Sequence, residues 1–165
     1  PGFLVNAVLA PYMLEAMRAV DEGISPETVD EAMLAFGMPM GPIELADTVG
    51  LDIAVAAGKQ LAGRVAAPHC LLARVNKGEL GKKTGQGFYA WSDGKAQKSD
   101  AGTPPSGLAA RLAKPLVDRA EHLVASGVVA DADLADAGVI FGTGFAPFTG
   151  GPLNYRKTEI QQRVA

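Results

Sequence analysis

From Leu4 to Val20 the apolar residues Leu4, Val5, Val8, Leu9, Tyr12, Met13, Ala16, Met17 and Val20 recur at spacings of three and four. That period predicts a long helix with a broad buried stripe. Pro11 lies inside it, lacks the N–H that would bond the carbonyl of Ala7, and predicts a kink. Gly23 predicts the end of the helix. Ser25-Pro26-Glu27 then supplies a capping hydroxyl, a proline at the first helical position and an acid in the first turn, so a second helix runs through Val29, Met33 and Leu34 to Gly37. After the loop Met38 to Gly41, Pro42 opens a short helix carrying Ile43, Leu45 and Val49. Asp52 is placed to cap a further helix from Ile53 to about Leu61, and another runs from about Pro68 to Asn76.

The pattern changes at Gly81-Lys82-Lys83-Thr84-Gly85-Gln86-Gly87-Phe88-Tyr89-Ala90-Trp91, which predicts an extended segment lying on the helices. Residues 92–107 hold Asp93-Gly94, Gly102, Pro104-Pro105 and Gly107 with almost nothing apolar, the composition of a linker. Helical periodicity returns from Leu108 to Val129. Asp131 or Asp133 can cap the next helix, and Gly142 predicts its end.

The second helical stretch repeats the first. Shifting the chain by 104 places Pro11 on Pro115, Ala16 on Ala120 and Gly23 on Gly127. Shifting it by 105 places Phe36-Gly37 on Phe141-Gly142 and Pro42 on Pro147. Two interior-helix prolines in register predict a duplication, with the units at 1–91 and 108–165 and the linker at 92–107. The second unit lacks a counterpart of the helices between Ile53 and Asn76. The position of Asn6, a lone amide beside the first apolar stripe, holds Ala110 in the second unit. The predicted fold is all-α, with two unequal helical units packed about a pseudo-twofold axis.

Composition narrows the function. A 48% hydrophobic share in 165 residues suffices for a packed core. A net charge of −3 without basic runs argues against nucleic-acid binding. Asn6, Glu15 and Arg18 interrupt the longest apolar stretch, which predicts no membrane span. The single Cys70 fits a reducing, cytoplasmic setting, and one Cys with two His gives no metal-ligand cluster. The chain opens inside a motif and without Met, which predicts a piece of a longer polypeptide. Gly142-Thr143-Gly144-Phe145-Ala146-Pro147 lacks the third glycine and the preceding strand of a dinucleotide loop. Gly78 to Thr84 lacks the spacing of a phosphate loop, so its glycines are read as bends close to a helix. His69 reads as a helix-start residue, His122 as a surface one, and the methionines mostly as core, with Met38 and Met40 free to line an apolar site.

Pro1-Gly2-Phe3-Leu4-Val5-Asn6, Pro11-Tyr12, Glu15-Ala16, Met38-Pro39-Met40-Gly41-Pro42-Ile43-Glu44-Leu45 and Val49-Gly50-Leu51-Asp52 resemble the C-terminal domain of 3-hydroxyacyl-CoA dehydrogenases. Gly81 to Tyr89 is similar to that domain's closing motif. Gly142 to Phe148 with Gly150-Gly151-Pro152-Leu153 resembles the second C-terminal repeat of the multifunctional fatty-acid oxidation α-subunits. The resemblance implies a fold like the C-terminal domain of 6-phosphogluconate dehydrogenase. It also implies a parent enzyme of β-oxidation that converts 3-hydroxyacyl-CoA to 3-ketoacyl-CoA with NAD+. In that family the His-Glu base and the cofactor belong to an N-terminal Rossmann domain, so this chain is expected to hold no cofactor and to be inactive alone. Asn6 matches the family's active-site Asn, and Met38, Pro39, Met40 and Leu45 match positions lining its acyl site. The companion Arg after that Asn is here Ala7. The partners implied are acyl-CoA together with the Rossmann domain, and a thiolase subunit in the parent complex. The alternative is a helical association module with no part in chemistry.

Overall fold

The computed structural model describes residues 2–62 and 66–164. Pro1 of the opening motif lies outside them. Eight α-helices stand among the described residues: α1 (Gly2–Asp21), α2 (Pro26–Phe36), α3 (Pro42–Val49), α4 (Leu51–Ala62), α5 (His69–Asn76), α6 (Leu108–Ala125), α7 (Ala132–Thr143) and α8 (Pro152–Val164). A two-stranded antiparallel hairpin, β1 (Ala90–Ser92) and β2 (Lys95–Gln97), separates α5 from α6.

Helix α1 is the spine. Its most extensive contact is with α6, and α3, α4, α5 and α7 also pack on it. Val8, Tyr12, Ala16, Met17 and Ala19 are fully buried on α1, as are Leu112, Leu116 and Ala120 on α6. Both helices continue through their prolines, and Pro11 and Pro115 border one shallow groove. By length and composition Phe3–Asp21 does qualify as a membrane-spanning helix, so its polar residues do not exclude that on composition as the sequence reading held. In the fold, 56% of that stretch is buried against the other helices. Arg111 of α6 ties the two long helices together: its Nε donates to Glu15 at 2.9 Å and its two terminal nitrogens to Glu22 at 2.6 and 2.8 Å.

Several ends form as their residues predict. Ser25 Oγ accepts from Thr28 N at 3.2 Å, and Gly37 in the left-handed region closes α2. Asp131 caps α7 by accepting from Leu134 N at 2.8 Å. Other ends differ. Asp52 lies within the first turn of α4 and binds Lys83 Nζ at 2.6 Å, while the helix starts at Leu51. Helix α7 passes Gly142 and ends at Gly144, whose φ of 71° supplies the left-handed cap. The first residues of the stretch read as linker form the hairpin. Asp93 and Gly94 both have positive φ, at 51° and 72°, as a two-residue turn of this hand requires. Beyond it Lys98 pairs with Glu44 and Asp30, and Gly102 N donates to Thr28 Oγ1, so this stretch is fastened to α2 and α3. Helix α8 is absent from the sequence reading.

Two buried carboxylates correct the repeat register. Asp30 accepts from Ile43 N at 2.7 Å and Glu44 N at 3.1 Å, capping α3 from a distance. Asp136 accepts from Leu153 N at 2.7 Å and Asn154 N at 3.1 Å, capping α8 in the same way. Gly41-Pro42 therefore corresponds to Gly151-Pro152, not to Ala146-Pro147, and Gly37 corresponds to Gly144. The glycines are required because the carboxylates press on them. A Cβ on Gly41 would lie 2.3 Å from Asp30 Oδ1, and one on Gly151 2.6 Å from Asp136 Oδ1. Pro147 instead opens a short 3-10 turn.

Candidate functional site

Asn6 is the fifth residue of α1 and is exposed. It borders a groove of about 300 Å³ between α1 and the α3–α4 arm. Ala10 and Met13 continue the α1 wall, and Val49, Ile53 and Ala57 form the facing wall. From Asn6 to Met13 the helical rise gives a wall of roughly 10 Å. Gln60 marks the other end, since neighbouring Gly58 packs on Leu14, with its Cβ position 3.3 Å from Leu14 Cδ1. Among the described residues lining the groove, none is charged. Val49 and Ile53 remain 37% and 51% exposed, so the facing wall presents apolar surface to whatever enters.

Met38, Pro39, Met40 and Leu45 lie elsewhere and do not line this groove. Met38 is buried in the core. Pro39 packs on the loop after α7, where a Cβ on Gly144 would lie 2.6 Å from its Cγ. Met40 is half-buried and its Sδ accepts from Thr48 Oγ1 at 4.0 Å. Leu45 is half-buried against the core. The structure thus joins Asn6 to Val49, Ile53 and Ala57, residues that no local pattern connects to it. Ile53 and Ala57, four apart on α4, share one helical face, whereas Val49 ends α3 before the break at Gly50.

The arm carrying Val49 and Ile53 is held by carboxylates. Asp47, fully buried in α3, accepts from Phe88 N at 2.9 Å, Tyr89 N at 3.0 Å and Trp91 Nε1 at 2.9 Å. The Gly81–Trp91 segment is thereby stitched to α3. Gly81 and Gly87 permit this approach, since a Cβ on either would meet Asp47 atoms within 2.3 Å. Tyr89 Oη donates to Asp30 at 2.7 Å, and Lys98 Nζ reaches the same carboxylate at 3.3 Å. Burial pushes the Asp30 carboxyl up, against the hydrogen bonds from Tyr89 and Ile43 N that favour its charge. Burial and the Asp30 charge push the Tyr89 phenol up. The described residues offer no group of three His, Cys, Asp or Glu arranged for a metal ion.

Such an architecture, a helical bundle on one long spine with an amide at the head of an apolar groove, is that of an almost wholly helical domain. Residues 2–91 match the family described as 3-hydroxyacyl-CoA dehydrogenase, C-terminal domain, and the chain belongs to it. The fatty acid oxidation complex subunit alpha of Vibrio cholerae is 37% identical over 173 residues, covering 95% of this chain and 24% of that protein. The chain therefore spans about a quarter of the length of the curated relatives it matches. The crystal structure of M. tuberculosis FadB2 is 41% identical over 53% of this chain and 33% of that one, with a TM-score of 0.50. The crystal structure of 3-hydroxybutyryl-CoA dehydrogenase from Escherichia coli K12 covers 96% of this chain and 53% of that one. Its TM-score is 0.69 at 21% identity, a likeness of fold.

Proposed function

We propose that this chain is the substrate-side portion of an NAD-dependent 3-hydroxyacyl-CoA dehydrogenase of fatty-acid β-oxidation. Asn6 is its contribution to the reaction. One observation carries the reading: within a domain of this family, an exposed carboxamide stands at the head of an uncharged apolar groove. An amide there can donate to a substrate oxygen through its NH2 or accept from a catalytic imidazole through its carbonyl. Either bond orients the reacting centre without a change in the amide's own protonation. A hydride acceptor such as NAD needs a nucleotide-binding fold. The described residues comprise helices and one antiparallel hairpin, which do not fit that group; in this reading another part of the enzyme supplies the cofactor and the general base.

In this reading residues 1–91 form the first unit, 108–165 a shortened second unit, and the stretch between them a fastened connection. The units pack about a pseudo-twofold axis as in the C-terminal domain of 6-phosphogluconate dehydrogenase, with α1 against α6. The second unit takes the place of a dimer partner, and Ala110 in the Asn6 position leaves it a packing role. Met38, Pro39, Met40 and Leu45 contribute to the acyl site in this reading, as their match to the family's positions implies. In the parent complex a thiolase subunit is the protein partner and the setting is cytoplasmic.

The test is NADH formation from a 3-hydroxyacyl-CoA. The chain alone should give none. Joined to a family Rossmann domain it should turn over, and Asn6→Ala should then lower kcat/KM at least tenfold, the equivalent of about 1.4 kcal/mol of lost transition-state stabilisation. Turnover by the chain alone would sink the proposal, as would an Asn6→Ala enzyme of undiminished rate.

A further inference from the structure

Three aromatic side chains and one carboxylate meet along α8. Phe36 closes α2, Phe148 stands in the 3-10 turn Pro147–Thr149, and Tyr155 and Glu159 lie one turn apart on α8. Together they line a groove of about 490 Å³. The Phe36 and Tyr155 rings stand at 89° with centroids 5.4 Å apart, so their faces form a corner. Buried Phe145 backs that corner, 5.6 Å from Phe36 and 6.3 Å from Tyr155. Phe148 leans on Gly37, where a Cβ would lie 2.8 Å from its Cε1, yet it remains 81% exposed, and an apolar ring in water gains from a cover.

Packing does not demand this set. Gly41-Pro42 and Gly151-Pro152 place α3 on α8, so Tyr155 falls on Leu45 and Glu159 on Val49. The first half has neither ring nor acid at these places. Glu159 is the one charged residue among those lining the groove, and the others are aromatic, hydroxyl or carboxamide side chains. On the other side of α8 a groove of about 440 Å³, against α6, is instead lined by Arg111, Lys114, Arg156 and Arg163. The basic side chains are thus gathered on one side of the helix and absent from the lining of the other.

We infer that the groove bounded by Phe36, Phe148 and Tyr155 binds a quaternary ammonium head group, of the kind that choline carries. Ring faces are negative at their centres and attract a cation within about 6 Å. A trimethylammonium group suits them better than a primary ammonium, because it has no N–H left to satisfy and fills a corner with methyl groups. Glu159 supplies the balancing charge. It also accepts from Arg163 at 3.1 Å, but that pair is four residues apart on one helix and the Arg163 side chain is 77% exposed, so the pair is weak enough to be exchanged. The Glu159 charge reaches the ring: burial, and then that carboxylate, push the Tyr155 phenol up and keep it neutral. The carboxamides of Asn154 and Gln162 can bond a hydroxyl at the ligand's other end. The volume lies within the range of small-molecule sites.

Choline titrated into the 165-residue chain and followed by NMR should bind saturably, its N-methyl signal moved upfield by the ring currents. Dimethylbutanol, its uncharged carbon isostere, and ethanolamine, its primary-ammonium analogue, should each bind about fivefold more weakly or worse. Phe148→Ala should weaken choline binding about threefold or more. Its circular dichroism and thermal midpoint should stay as they are, because the side chain is exposed. Glu159→Gln should also weaken binding, and Arg163→Ala, which frees Glu159, should strengthen it. Equal affinity for choline and dimethylbutanol would make the groove a plain apolar pocket. Equal affinity for choline and ethanolamine would make it a site for any ammonium, a lysine of a protein partner included. Either result overturns the inference. So would choline that fails to saturate, or that binds the Phe148→Ala and Glu159→Gln chains as before.

Discussion

Replacing Asp47 by alanine removes the acceptor of three hydrogen bonds at once, and the cost can be worked out from the geometry. Phe88 N and Tyr89 N are buried donors whose partners are the two Asp47 oxygens. A buried donor left without a partner costs roughly 1–3 kcal/mol, so the two backbone groups together lose about 4 kcal/mol. The indole N–H of Trp91 is partly exposed and can turn to water, which adds well under about 1 kcal/mol. Against this stands the relief of no longer burying a carboxylate, which returns on the order of 1–2 kcal/mol. The net expectation is about 3 kcal/mol, a large share of the 5–15 kcal/mol typical of a folded domain. Asp47→Asn should be milder. Its carbonyl oxygen can face Tyr89 N and Trp91 Nε1, which share one Asp47 oxygen, and only Phe88 N then meets an NH2 group.

Urea unfolding followed by far-UV circular dichroism would measure these differences. With a slope near 2 kcal/mol/M, Asp47→Ala should lower the midpoint by about 1.5 M. Trp91 is the chain's single tryptophan, so its emission reports on the same contact independently. In Asp47→Ala it should shift to the red before global unfolding, because the segment from Gly81 to Trp91 loses its anchor on α3. An Asp47→Ala chain within about 0.5 kcal/mol of the parent with an unaltered Trp91 spectrum would refute the reasoning. So would an Asp47→Asn chain less stable than Asp47→Ala.

Two further outcomes are expected. Arg111→Ala should cost about 1 kcal/mol in urea unfolding, since the guanidinium links α6 to Glu15 and Glu22 but is over a third exposed, and added salt should shrink the difference. A loss above about 3 kcal/mol would mean that this pair is not a surface link. The Cys70 thiol, pushed up to about 12 by burial and then by the nearby Asp21, should resist a disulfide reagent at pH 8 until the chain is unfolded. Because its folded pKa is raised, its contribution to stability is complete below the unfolded thiol pKa of about 8.5 and declines as pH rises toward 12. Rapid labelling of the folded chain would contradict this.

What could be read from the sequence follows how far apart the interacting residues stand along it. Helices α1 and α2 were legible because their stripe and Ser25 cap are local. The all-helical class followed, as did the family through its motifs. Helix α8 was not legible. Its sequence is mostly polar and its cap is Asp136, 17 positions before Leu153. The repeat register slipped for the same reason, since Pro147 is the first proline after the Phe141-Gly142 pair while the helix start is fixed by a distant carboxylate. The Asp93-Gly94 signal for a hairpin was present, but each strand is only three residues long and alternates through a single apolar position, Trp91 in one and Ala96 in the other. At the candidate site, Asn6 was visible as a polar break in an apolar stripe. Its facing wall was not, because Val49 and Ile53 meet it only after α3 has been placed by Asp30 and Asp47.

The corresponding positions in the two halves separate what folding requires from what chemistry can use. Asp30 and Asp136 hold helix starts by the same two backbone bonds, and Gly41 and Gly151 give way to them in the same manner. An unsatisfied buried helix start is costly wherever it occurs, so a scaffold that keeps both halves folded must keep both clamps. The grooves answer to no such demand. A charged pair such as Arg163 with Glu159 is compatible with a solvent-facing helix, and so is the uncharged wall of Val49 and Ile53. Folding alone does not choose between them. The uncharged wall stands in the half that has an amide at the head of its groove, and Lys114, Glu159 and Arg163 line the groove of the half that has alanine there. The two halves thus agree where a helix start must be clamped and differ where packing leaves the side chain free.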